Sequence, residues 1–283
     1  MLTAEEEAYI LEHAYVPEHC IGLMTHVSGG EPFLVDDFFI CRKKNGIILI
    51  GYPLGDNFNA RNFERAVFKV REKFRPDFIS LVAPEMPAAL ASICQESESD
   101  AYFTLQTQNT VIRSPVKRNL KKARQNLRVE ASPGMQEAHR ELMQEFVERT
   151  QPSGRVKRLL FKMPEFLARA DTAFVLNAWD DANKLAAFYV VDVEAEQFSN
   201  YIIGCHSKKN YVLGASDLLL YELINLSLKY NKTYIHLGLG VNAGIRRFKA
   251  KWGGVPTRRY EMCELVFKKP TIFDAIKSLG KLC

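Results

Sequence analysis

The stretch Tyr234-Ile-His-Leu-Gly-Leu-Gly-Val-Asn-Ala-Gly-Ile-Arg-Arg-Phe-Lys-Ala-Lys-Trp-Gly-Gly254 decides how this chain is read. It divides into a short strand from Thr233 to Leu237, a glycine-rich exit at Gly238, Gly240 and Gly244, a basic helical turn and a Trp-Gly-Gly stop. A strand that leaves through glycines into a helix brings its backbone close to something else, because a residue without Cβ tolerates close approach and positive φ. The expected neighbour is a ligand.

Outward from that stretch, the preceding segment repeats an earlier one. Residues 184–193 and 198–205 read as two strands, 206–213 as a loop, 216–230 as a helix and 234–237 as the next strand. Earlier, 38–42 and 47–51 read as strands around Asn45-Gly46, the strongest short hairpin signal. A loop over 53–59 follows, then a helix over 60–74 with Phe63, Val67, Val70 and Phe74 on its apolar side, and a strand from Phe78. The helices start at 60 and 216 and the strands after them at 78 and 234, both 156 residues apart. A duplicated α/β unit is the expected organisation.

Between the repeats, Arg113, Lys117, Arg118, Lys121, Lys122, Arg124 and Arg128 occur without one acid. Ser114 followed by Pro115 opens a helix there. Such a run is ordinarily a solvated face, but no acid at i,i+4 compensates this one, which points to an anionic partner. Further helices are expected over 135–150 and 164–170, with an exposed loop over 151–155, then a strand over 173–179.

The chain has 283 residues, 47% hydrophobic and 25% charged, enough for one large domain or two of about 140 residues. Net charge is +5, which suits phosphate-bearing ligands and falls short of a dedicated nucleic-acid protein. Cys20, Cys41, Cys94, Cys205, Cys263 and Cys283 are spread with no zinc-knuckle spacing and no disulfide framework, so a reduced, cytoplasmic setting is expected. His13, His19, Cys20 and His26 straddle Pro17 without regular spacing, and no metal site is expected. Thr3 caps a first helix reaching about residue 14. The acidic start lacks the apolar core of a secretory signal, and no membrane span is expected.

Tyr211-Val-Leu-Gly-Ala-Ser216 places Gly214, Ala215 and Ser216 at a helix N-terminus directly after a strand. Free backbone N–H groups and the positive dipole end make that position an anion site, and an ordinary Ser N-cap is the plain alternative. The run of strand, small-residue turn, Leu-rich helix, strand and helix ending in Lys-x-Trp-Gly resembles the second half of a GNAT (acyl-CoA N-acyltransferase) domain. In that family the turn reads Gln/Arg-x-x-Gly-x-Gly/Ala and cradles the coenzyme A pyrophosphate. Here it reads Tyr211-x-x-Gly214-x-Ser216, departing at the first position. Phe248-Lys249-x-x-Trp252-Gly253-Gly254, with the cationic run from Lys117 to Arg124, resembles the Fem-like branch. That branch carries tandem GNAT-like domains and includes aminoacyl-tRNA-dependent cell-wall transferases. The resemblance covers residues 110–267 and reaches the first hundred only through element order.

The resemblance implies an α/β (α+β) protein of two tandem GNAT-like domains, each a mixed, mostly antiparallel twisted sheet flanked by helices. Residues 1–110 would form a degenerate, structural first domain, 111–134 a basic connecting helix and strand, and 135–283 the acyltransferase domain. A bacterial, cytoplasmic transferase is implied, moving an acyl group from acetyl-CoA or another acyl-CoA to a small-molecule or peptide amine, without metal. Tyr211, Val212, Leu213, Gly214, Ala215 and Ser216 would hold coenzyme A. Lys249 occupies the family's tyrosine slot and would protonate the leaving thiolate. His236 is the candidate base. Asn242, Arg246, Arg247 and Trp252 are the substrate-binding candidates, the two arginines through bidentate bonds.

The plain readings make Lys249 an exposed helix cation, His236 a structural strand residue, and Tyr211, Tyr221, Trp252 and Tyr260 packing groups. Two other functions stay open. One is an aminoacyl-tRNA-dependent transferase acting on a peptide or lipid headgroup, with residues 113–128 meeting tRNA; the other is a catalytically inactive GNAT-like binding module. No Ser-His-Asp order, Walker loop or His-Glu-x-x-His is present.

Overall fold

The computed structural model describes residues 1–108 and 110–267. The described residues pack as two compact units, each discontinuous in sequence: Met1–Gly30 with Asp100–Arg259, and Glu31–Ser99 with 260–267. These units are not the sequential blocks 1–110, 111–134 and 135–283. The opening segment carries Ala14, Cys20 and Leu23 into the same core as Leu160 and Met163, and Cys263 and Leu265 join the core of the smaller unit. Residues 268–283, the end of the expected third block, lie outside the described residues.

In the smaller unit β1 (Glu31–Val35), β2 (Phe38–Lys43), β3 (Gly46–Ile50) and β4 (Phe78–Ala83) lie in that order, and β4 takes the end of β11 (Val255–Val266) as its other neighbour. Only β3 and β4 run parallel, in register from Gly46↔Phe78 to Ile50↔Val82. The hairpin turn is Lys44-Asn45, one residue ahead of the expected Asn45-Gly46, with Lys44 at φ 52°. Gly46 already belongs to β3, where a Cβ would run into the Phe78 ring; the glycine serves packing rather than the turn. Helix α3 (Ala60–Phe74) starts at Asn59, whose side chain accepts from Asn62 N–H, and buries Phe63, Ala66, Val67 and Val70. Phe63, Val67 and Val70 each contribute roughly 1.5–3 kcal/mol of gross burial.

The short α4 (Ala88–Ala91) leads to Cys94, which forms a disulfide with Cys263 across a Cα separation of 5.6 Å. This corrects the expectation of unpaired cysteines. The partners are 169 residues apart, and only the fold brings them together. Among the described residues, Cys20, Cys41 and Cys205 are buried and stand outside any disulfide.

The larger unit opens with α1 (Ala4–Glu12), capped by Thr3 in a reciprocal box with Glu6, then a 3-10 turn (Pro17–His19) and α2 (Ile21–Ser28). Its strands are β5 (Glu96–Gln106, from Asp100 onward), β6 (Leu127–Ser132), β7 (Ala173–Asp180), β8 (Leu185–Asp192), β9 (Phe198–His206) and β10 (Tyr234–Leu239), in the order β5-β10-β9-β8-β7-β6. Every residue of β8 is buried, as its unbroken apolar run requires, because helices cover both of its faces. One face carries Ala187, Tyr189 and Val191 into a core with α5 (Ser114–Asn126) and α8 (Ala215–Lys229). The other carries Phe188 and Val190 toward α6 (Glu137–Thr150) and α7 (Gly154–Leu167). Helix α7 replaces the expected 164–170. Ser153 caps it, accepting from Val156 N–H, and Leu160, Met163, Phe166 and Leu167 hold it in the core with Pro164 near its end.

The recurrence holds in space. Strands β2 and β3, helix α3 and strand β4 match β8, β9, α8 and β10: an antiparallel pair, a 15-residue helix, and a strand parallel to the second member of the pair. The architecture is therefore mixed α/β, with mostly antiparallel sheet. Among the described residues no helix is long and apolar enough to cross a membrane.

Candidate functional site

Strands β9 and β10 share the register pairs Tyr234↔Phe198, Ile235↔Ser199 and His236↔Asn200, and then part. Beyond His236 the register of β10 against β5 shifts, so that Leu239 faces Tyr102, and Gly238 absorbs the bulge at φ 71°. A positive φ of this kind suits glycine. Tyr189 of β8 donates its hydroxyl to the Ser216 carbonyl at 2.9 Å, tying the sheet to the first turn of α8.

That first turn is bare. Its N-cap is Gly214, at φ 86° with no side-chain cap, so Ser216 is not the cap the plain reading gave it. A Cβ on Gly214 would lie 2.7 Å from the Asn119 carbonyl, so the glycine is demanded by the close crossing of α5. The N–H groups of Ser216 and Asp217 have no partner among the described residues. Ser216 and Asp217 line a cavity of about 260 Å³, together with residues 211–215, Asn119, Ser207, Phe248 and Lys251.

Asp217 holds this corner together. Its carboxylate accepts from Trp252 Nε1 at 2.8 Å and Asn119 Nδ2 at 2.8 Å, and pairs with Lys251 Nζ at 2.5 Å, linking α8 to α5 and to α9 (Ala243–Lys251). Its charge is thus spent on the chain's own donors. An added anion would meet two free N–H groups, the positive end of the helix dipole and the Lys251 side chain. Helix α5 buries Val116, Leu120 and Ala123 against this core and leaves all seven of the segment's cations exposed. None of the seven forms an ion pair among the described residues; Arg124 lies over the Tyr221 ring and Arg128 donates to Asn183.

The six residues expected at the turn, Tyr211 to Ser216, are all brought to the cavity, with Tyr211 61% exposed. Lys249 is not the exposed cation of the plain reading. It is 4% exposed, donates to the Leu239 carbonyl at 2.5 Å and lies 5.3 Å from the Phe103 ring centre. Burial pushes its pKa down to about 7, against the pull of Asp100.

His236 lies against the rings of Tyr102 and Phe198, and burial, followed by the charges of Lys249 and Arg258, lowers its pKa to about 3. Its Nδ1 accepts from Gly238 N–H at 3.2 Å, which places the proton of the neutral ring on Nε2. The ring therefore offers a donor, and the expected role as base lacks a free lone pair. His236 opposes Thr104 on β5 while Lys249 covers Phe103, so the two lie on opposite faces of the sheet and share no hydrogen bond.

Three of the four substrate candidates are engaged within the fold. Asn242 caps α9, accepting from Ile245 N–H at 3.0 Å; Arg246 pairs with Asp100 at 3.2 Å; and Trp252 is a core residue, 2% exposed. Arg247 is exposed, with no partner among the described residues. Asn119, Asp217, Phe248 and Lys251 line the cavity and were missed. Their signal was present in the basic run and in Lys-x-Trp-Gly, but only the packing of α5 and α9 on α8 makes them one site.

No protein-family model matches the chain, and no curated protein matches it. Solved structures do. FemX superposes with a TM-score of 0.66 at 10% identity, over 100% of this chain and 98% of that one. The C-terminal domain of a protein described as a lysylphosphatidylglycerol synthetase, from Agrobacterium fabrum, gives 0.59 at 14% identity over 99% and 96%. A tandem GNAT protein from the clavulanic acid biosynthesis pathway gives 0.53 at 11% identity over 93% and 94%. The chain therefore shares its fold with FemX and with a tandem GNAT protein.

Proposed function

We propose that the chain is an N-acyltransferase that takes an acyl group from acyl-coenzyme A and delivers it to an amine. The observation that carries this reading is the cavity of about 260 Å³ at the uncapped start of α8. Residues 211–216 suit the donor: the N–H groups of Ser216 and Asp217 take its phosphates, Lys251 flanks them, and the acyl-bearing arm runs toward the gap between the strands. The donor supplies an acyl group activated as a thioester. The amine nitrogen bonds to the carbonyl carbon as the carbon–sulphur bond breaks and its electron pair leaves on sulphur; Lys249, partly protonated near neutral pH, gives a proton to the sulphur, and the proton that the amine nitrogen sheds as the amide forms passes to solvent. The unit holding α8 is the working one, and the unit holding α3 is its degenerate counterpart.

One observation favours a second reading, in which an aminoacyl-tRNA is the donor. The seven exposed cations of the α5 segment lack acidic partners, and Asn119 of the same helix lines the cavity. The acceptor there would be the amine of a peptide or of a lipid headgroup.

Thiol release from acetyl-coenzyme A in the presence of a panel of primary amines tests the first reading. Turnover above the spontaneous rate is expected, falling at least about 10-fold in Lys249→Met. No release, with no rise in Tm at millimolar coenzyme A, would reject it. RNA retention whose log affinity falls linearly with log salt would then support the second reading. If neither ligand binds, the inactive-module reading stands.

A further inference from the structure

On the sheet face that carries Phe188 and Val190, away from the α8 cavity, three metal-ligating groups meet. Cys20 stands at the start of α2, Asp192 ends β8 and Glu194 follows it; their Sγ and one carboxylate oxygen from each acid lie within 4.8 Å of one another. Clustered acids alone can share protons, but the neighbouring strand adds a second observation. Asp192 is 1% exposed, and its Oδ2 has no partner among the described residues. Its register partner on β9 is Asn200, equally buried, with neither Nδ2 nor Oδ1 partnered. Register partners stand on one face with Cβ atoms about 4.5–5.5 Å apart, so the Asn200 amide lies alongside the Asp192 carboxylate. Folded proteins seldom bury polar atoms unpaired without a use.

The remaining lone pairs of the cluster are held by the chain. Asp192 Oδ1 accepts from Thr172 Oγ1 at 2.7 Å and from Glu194 N–H at 3.2 Å. Gly22 N–H donates to the Glu194 carboxylate at 2.9 and 3.1 Å, and Ala195 N–H is directed at Cys20 Sγ. Such outer bonds fix ligands in place around a metal. Positive charge is scarce by comparison. Lys232 lies near Asp192 and Cys20, but its ammonium already donates to the Ala195 and Glu196 carbonyls at 2.7 and 3.3 Å. Burial first, and the neighbouring acids second, hold the Cys20 thiol well above its ordinary range, and burial with Asp192 raises Glu194 to about 7.

We infer that Cys20, Asp192 and Glu194 bind one zinc ion, with Asn200 Oδ1 completing the coordination. A thiolate among the ligands selects zinc over magnesium or calcium, which take six or more oxygens. Tetrahedral zinc sets its ligand atoms roughly 3.5 Å apart, so the cluster need contract by only about 1 Å. The ion neutralises the buried acids and ties the opening segment to the end of β8, a structural role apart from the α8 cavity. It replaces the expectation of no metal drawn from His13, His19, Cys20 and His26; of those four only Cys20 takes part, and its fellow ligands come from a distant stretch of sequence.

The test uses the full chain, stripped with a chelator and titrated calorimetrically with zinc, and with cobalt(II) for spectroscopy. One equivalent of zinc is expected to bind and to raise Tm, and cobalt should show a thiolate charge-transfer band. Cys20→Ser should lose that band, while Cys205→Ser, at a buried cysteine outside the cluster, keeps it. Asp192→Asn should weaken zinc at least about 10-fold. The amide keeps the acceptor for Thr172 and removes a buried carboxylate, so the metal-free Tm of Asp192→Asn should not fall, which separates lost ligation from misfolding. Binding at millimolar zinc alone, or equal affinity in wild type, Cys20→Ser and Asp192→Asn, means an adventitious ion only and overturns the site. A charge-transfer band that survives in Cys20→Ser overturns it as well.

Discussion

The starts of α3 and α8 are the same element built twice, and they differ where it counts. Helix α3 is closed by its own Asn59, and the strands beside it stay paired through five register positions, from Gly46↔Phe78 to Ile50↔Val82. Helix α8 begins at a bare glycine, and its strands separate after three, ending at His236↔Asn200. A duplicated unit can close one copy for stability while the other keeps open N–H groups and a wedge between strands, features that cost stability and gain a binding site. The contrast, rather than either copy alone, is what supports the proposal that the copy holding α8 is the working one.

The largest expected effect comes from the anchor that holds the open copy in shape. Asp217→Ala removes the acceptor for Trp252 Nε1 and Asn119 Nδ2 and the partner of Lys251, and should cost roughly 3 kcal/mol in urea unfolding. Ser80→Ala in the closed copy, which loses one partly buried bond, should cost about 1 kcal/mol. Equal losses would break the comparison.

Lys249 sharpens it through pH. With a folded pKa of about 7 against an ordinary value of 10.5, the unfolded chain holds a proton in that window that the folded chain does not. Lys249 therefore makes stability increase as pH rises from about 7 toward 10.5, with a slope of at most about 1.4 kcal/mol per pH unit, and charging it below about pH 7 removes that gain. Denaturation midpoints of wild type and Lys249→Met across this range should converge at the alkaline end and diverge below it, apart from any constant packing difference. Parallel curves would contradict the buried placement.

Capping gives a smaller contrast. Asn59→Ala should cost about 1 kcal/mol, whereas Ser216→Ala should fall within about 0.5 kcal/mol, since Ser216 is not the cap of α8. Least of all, the triple change Lys117→Glu, Arg118→Glu and Lys121→Glu should leave stability within about 1 kcal/mol, because these side chains are exposed. If RNA is the donor, the same variant loses salt-sensitive retention; if coenzyme A is, catalysis is nearly unaffected.

Much of the fold was legible in the sequence because its signals are local. Asn45-Gly46 marked the hairpin to within one residue, the apolar spacing of Phe63, Val67 and Val70 marked α3, and the 156-residue offset exposed the duplication. Pro164 misled, since tertiary packing of Leu160 and Met163 carries α7 up to it and past it. At the site, Gly214 to Ser216 could be found because a small-residue turn before a helix has one physical meaning. Asp217, Asn119 and Lys251 could not, since their roles exist only once α5 and α9 have packed on α8. Trp252, Asn242 and Arg246 looked available to a substrate and proved engaged by Asp217, the α9 cap and Asp100, and no linear pattern carries such pairings. The unpaired Asn200 was equally invisible, because nothing in a strand sequence says which buried amide finds a partner.

The most direct measurement is calorimetric titration of acetyl-coenzyme A into the wild type and into Ser216→Glu. The added acid lies in the first turn of α8, where the helix dipole favours it, so the fold should persist while the charge meets any phosphate bound there. One equivalent bound by the wild type, weakened at least about 10-fold in the variant, is the predicted result. Absence of binding at millimolar ligand, or equal affinity in the two proteins, would contradict the assignment of the α8 start as the donor site.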